Sequence, residues 1–123
     1  MKRLAALTAI VLAAGTFAMA APVTVTGVLV DRACYTKDKA NTKMEHAGMG
    51  ATCAADCAKK GQPVALVTST GEVYTVTGEV AADNNAKLVP HMAHTMALTG
   101  EVTDVKGVKS ISVAAAGLKM VSK

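Results

Sequence analysis

Aromatic residues are nearly missing from this chain. Tryptophan does not occur, Phe17 lies in an apolar leader, and Tyr35 and Tyr74 are the only aromatics left. Two tyrosines do not build a surface that stacks bases or sugar rings. Charge of one sign is scarce as well: 13 basic residues stand against 9 acidic ones, and Lys2 and Arg3 belong to the leader. What remains on residues 21–123 is about +2, no footprint for nucleic acid or an anionic membrane. Beyond the leader, no apolar run approaches the ~20 residues of a membrane-spanning helix. Also lacking are a Ser/His/Asp set, a phosphate loop, a carboxylate pair and an alternating βαβ pattern, so the expectation is a protein that is not an enzyme.

The leader itself has a clear form. Lys2 and Arg3 precede an apolar run from Leu4 to Ala18, and Ala18-Met19-Ala20 is an A-x-A cleavage site. No cysteine follows that site to take a lipid. The sequence therefore predicts a signal peptide over 1–20 and a single domain over 21–123, soluble in a periplasm or secreted.

Strand signals dominate that domain. Val23-Thr24-Val25-Thr26 alternates apolar and polar β-branched residues, and beyond Gly27 the apolar phase changes to Val28 and Val30, which reads as a β-bulge. The word Thr-Gly-x-Val recurs at Thr77-Gly78 and Thr99-Gly100, which suggests a strongly coiled sheet. Asp31 to Gly50 reads as a long surface loop, with Asp31 and Arg32 either capping the first strand or pairing with each other at the surface. Ala51 to Lys60, stopped by Gly61, reads as a short helix. Further strands are expected over 64–68, 72–80, 95–102 and 108–115. A short helix from Ala82 to Met92, capped by Asp83 and disturbed at Pro90, is expected between the third and fourth. Leu118 and Met120 are expected to close the open end of the core. The order matches an all-β, five-stranded OB-like Greek-key barrel, with a cysteine-bearing helix inserted after the first strand. A β-sandwich is the rival arrangement.

All three cysteines fall between Cys34 and Cys57, with His46 among them. An odd count in an oxidising compartment leaves one bridge and a spare thiol, or thiols held together by something else. Cys53 and Cys57 are four apart, so on a helix both thiols leave one face with nearly parallel side-chain vectors, unsuited to a mutual disulfide. They can instead share an ion, with Cys34 and His46 completing a Cys3His site for Cu(I) or Zn(II). The alternative is a disulfide from Cys34 to Cys53 or Cys57, in a stapled β-domain that binds a protein or envelope ligand without metal. Redox catalysis is the third class, although C-x3-C is not the C-x2-C of thioredoxin-like proteins. Met44 and Met49 add thioethers in a polar loop. His91, Met92, His94 and Met96 form a second, weaker candidate site, in which the histidines share a face only if a helix persists there.

The series C-Y, H and C-A-A-D-C-A-K-K-G, with V-D-R before it and K-L-V-P-H-M-A-H-T-M-A-L-T-G-E-V after it, resembles a group of small exported bacterial proteins with no assigned activity. The resemblance covers most of residues 21–123. It implies an OB-like barrel, and it implies that Cys34, His46, Cys53 and Cys57 belong together. The expected function is buffering or delivery of copper or zinc, with the ion as the main partner and another envelope protein as a further one.

Overall fold

A computed structural model describes residues 20–46 and 48–123. The expected signal peptide lies, apart from Ala20, outside the described residues. Strand β1 spans Val23–Asp31 and runs directly into helix α1, Arg32–Lys37. A loop leads to helix α2, Cys53–Lys59, and then to strands β2, Val64–Val67, and β3, Val73–Thr77. After a run of tight turns come β4, Thr95–Val105, β5, Val108–Ser112, and β6, Leu118–Ser122. No helix among the described residues is long and apolar enough to cross a membrane.

Closure of the sheet depends on β1. Its first half pairs antiparallel with β4 and its second half with β2, while β3 and β5 pair in parallel. The order β1-β2-β3-β5-β4 thus returns to β1, the five-stranded OB-like barrel expected from the sequence. The sixth strand adds itself to β4 outside the closed ring.

Gly27 does not carry the bulge that the change of phase suggested. The register runs unbroken from Val23 opposite Gly100 to Val28 opposite Thr95. Val25 and Leu29 both face the main core, whereas Val28 and Val30 pack on the outer face with Tyr35, Ala65 and Val67. The outer face turns apolar because α1 covers it with Tyr35. Glycine is needed at position 27 because a Cβ there would run into the carbonyl of Val67. Gly78 meets the backbone of Val113 and Gly100 that of Ser112 in the same way, so these glycines mark close approaches of strands.

Between β3 and β4 the predicted helix is replaced by something tighter. Asp83, Asn84 and Asn85 adopt left-handed backbone, with φ of 53°, 55° and 60°. Asp and Asn are the non-glycine residues that tolerate this region best, so Asp83 does not act as a helix cap. Short 3-10 turns, Glu79–Ala81 and Val89–His91, flank them. The barrel interior is filled by Leu29, Leu66, Met92, Met96, Leu98 and Ile111 with smaller neighbours, and Ala54 and Ala58 of α2 join this cluster. Leu118 packs at its edge, but Met120 is 44% exposed and does not close the barrel end.

Candidate metal centre

Asp31 ends β1 and begins the site. Its backbone is extended, and its side chain caps α1 by accepting the Cys34 N–H through Oδ1 at 2.8 Å. The Cys34 carbonyl accepts from the Asp38 N–H and from Asn41 Nδ2, both at 3.0 Å. Cys34 is therefore pinned at both ends of its peptide unit, and its thiol is buried. The stretch expected to be a wet surface loop thus begins with an ordered helix that buries Cys34 and Tyr35.

The remainder of that loop docks on α2. Ala54 N–H donates to the Met44 carbonyl at 3.1 Å, and His46 forms a bridge with Gly50. Met44 packs against the main core, while Met49 is 55% exposed. His46 is 1% exposed, which no solvated loop histidine would be.

Helix α2 buries Cys53, Ala54, Ala55 and Ala58 and leaves Cys57 at the margin. Its C-terminal carbonyls are closed by the left-handed turn: Asn85 Nδ2 donates to Ala58 O and Gln62 O, each at 2.9 Å. Asn85 is 5% exposed, and its bond to Ala58 O forms away from water while that to Gln62 O is partly buried.

These supports bring the predicted ligands together. The ligand atoms of Cys34, His46 and Cys53 all lie within 4.8 Å of one another, and so do those of Asp31, Cys34 and Cys57. Cys34 belongs to both groups. All three cysteines are free thiols. Among the described residues, neither ring nitrogen of His46 has a hydrogen-bond partner, and Asp31 Oδ2 has none either. Buried groups of this kind are normally satisfied, and each orphan costs about 1–3 kcal/mol unless something binds it. Burial first, and then the Asp31 carboxylate, push the Cys34 thiol up to about 12. Burial and Asp31 likewise raise Cys57. An ion that takes these sulfurs as thiolates must displace their protons.

Asp31 is the residue that sequence reasoning missed, since neither a strand cap nor a surface partner of Arg32 has a place among the ligands. It is fully buried. The signal was its spacing: an Asp that ends an apolar strand three residues before Cys34 has the position of an N-cap. The second candidate set is placed differently. Met92 and Met96 are fully buried in the barrel core. Among the described residues, neither His91 nor His94 lies in a convergent group of His, Cys or carboxylate ligands. No family model matches the chain, and no curated protein or solved structure is significantly similar to it.

Proposed function

We propose that this is an exported protein that binds copper or zinc through Cys34, His46, Cys53 and Cys57, and that it buffers the ion or hands it on without turnover. The observation that carries this reading is His46, an imidazole with two unpartnered nitrogens buried beside the thiols of Cys34 and Cys53. An imidazole so placed is destabilising by itself and favourable once one nitrogen ligates a cation. Thiolate with imidazole is the donor set that suits Zn(II) and Cu(I) over hard cations such as Mg(II) or Ca(II). Export rests on the form of residues 1–20.

The test is a competition titration of reduced, metal-stripped protein with Zn(II) and Cu(I) against a chromophoric chelator. Wild-type protein is expected to compete, and Cys34→Ser, which removes the sulfur common to both ligand groups, is expected to lose at least about 100-fold in affinity. Equal competition by wild type and Cys34→Ser would refute the assignment.

A further inference from the structure

Four donors surround Cys34, and with it they fall into two triads that have only its sulfur in common. One triad is Cys34, His46 and Cys53; the other is Asp31, Cys34 and Cys57. We propose that the centre is dinuclear and takes two zinc(II) ions bridged by the Cys34 thiolate, with Asp31 a ligand to the second. This rests on the metal-binding reading above and deepens it.

Three observations support the second position. Asp31 is 0% exposed, and its Oδ1 accepts the Cys34 N–H at 2.8 Å. Its Oδ2 is buried without a partner, and Asp31 takes part in no ion pair among the described residues. A buried carboxylate with a free oxygen and no cation is among the most costly groups a fold can hold, so a cation bound at Oδ2 removes a liability that the protein alone does not.

Charge points the same way. With its sulfurs ionised, the cluster carries three thiolates and one carboxylate, and His46 is neutral as a ligand. One divalent ion leaves that buried set with an excess of negative charge; two divalent ions balance it. A thiolate that bridges two ions at sulfur–metal distances of about 2.3 Å sets them within the ~4 Å typical of two-metal sites. The small spread of both triads is compatible with that separation. The carboxylate also discriminates between metals. Two soft sulfurs and an imidazole suit Cu(I) as well as Zn(II), but a triad that includes a carboxylate oxygen favours Zn(II).

The experiment counts zinc per chain in reduced, metal-stripped protein titrated with Zn(II) alone, beside the same titration of Asp31→Asn, Cys57→Ser and His46→Ala. Asparagine keeps an Oδ1 that accepts the Cys34 N–H, so α1 keeps its cap in Asp31→Asn. Wild type is expected to bind two ions, and each variant one. The ion that remains in Asp31→Asn is expected to bind no more than about tenfold more weakly than before, the scale of a changed neighbour rather than a lost ligand. If Asp31→Asn fails to fold, Cys57→Ser decides, since that residue belongs only to the second triad. A single ion in wild type at saturation overturns the dinuclear centre and leaves the metal-binding reading intact. Two ions in both Asp31→Asn and Cys57→Ser overturn the assignment of the second position. No ion in wild type overturns both readings.

Discussion

Asp31 Oδ1 accepts the backbone N–H of Cys34 at 2.8 Å, so the residue that ends the first strand also fixes the first sulfur of the site. The bond couples barrel and centre. It also leaves the other carboxylate oxygen buried and unsatisfied in the absence of an ion.

That arrangement sets stability against function. In reduced, metal-free protein, Asp31→Asn keeps the cap and removes a buried charge, so it is expected to stabilise the fold by about 1–3 kcal/mol. With zinc present the order is expected to reverse, because wild type gains more from the ion. Urea unfolding of both proteins, with and without zinc, measures this.

Asn85 holds the far end of the cysteine helix. Asn85→Ala loses the amide bonds to Ala58 O and Gln62 O and puts an alanine into left-handed backbone at φ 60°. The expected cost is about 2–4 kcal/mol from the two sources together. Metal affinity is expected to fall as well, since Cys57 lies in the last turn that Asn85 secures. Denaturant midpoints and a zinc competition assay report the two effects separately.

Alkaline pH is expected to weaken the metal-free fold. The Cys34 thiol is held up to about 12 by burial and Asp31, and Cys57 is raised in the same direction. An unfolded thiol ionises near ~8.5. Above that pH the unfolded state sheds protons that the folded state retains, so stability declines as pH rises from the unfolded value toward the folded one. Cys34→Ser is expected to flatten the decline. Metal binding follows the opposite course: each thiolate taken by the ion frees a proton, so affinity rises with pH and falls on acidification. Thermal melts of metal-free protein across pH, and zinc competition at several pH values, check the two signs.

Gly27 and Gly100 each carry a close approach of strands in the barrel. Gly27→Ala or Gly100→Ala places a methyl against a backbone carbonyl, of Val67 or Ser112 respectively. Backbone cannot swing aside as a side chain can, so each substitution is expected to cost at least about 2 kcal/mol. Soluble yield and urea midpoints test this.

Strand periodicity was legible because the chain states it plainly: Val23 to Thr26 alternates, and the Thr-Gly words recur where strands cross. Cys53 and Cys57 were legible as a pair because i, i+4 spacing fixes one helix face. Short elements set by single contacts were not. Helix α1 is only six residues long and shows no apolar period; the Asp31 cap specifies it. The turn through Asp83, Asn84 and Asn85 reads as helix from local signals, because the amide bonds from Asn85 that select the left-handed form reach residues more than 20 positions away. Burial of His46 is equally invisible in a polar stretch, since the Met44 carbonyl draws that loop onto α2.

The most direct measurement is the metal content of protein taken from its native compartment without added metal, paired with a thiol count under denaturing conditions before and after chelation. The expected result is bound copper or zinc, and three thiols that become reactive only once a chelator has removed it. Metal-free protein with a single reactive thiol, Cys34 being bonded to Cys53 or Cys57, would contradict it.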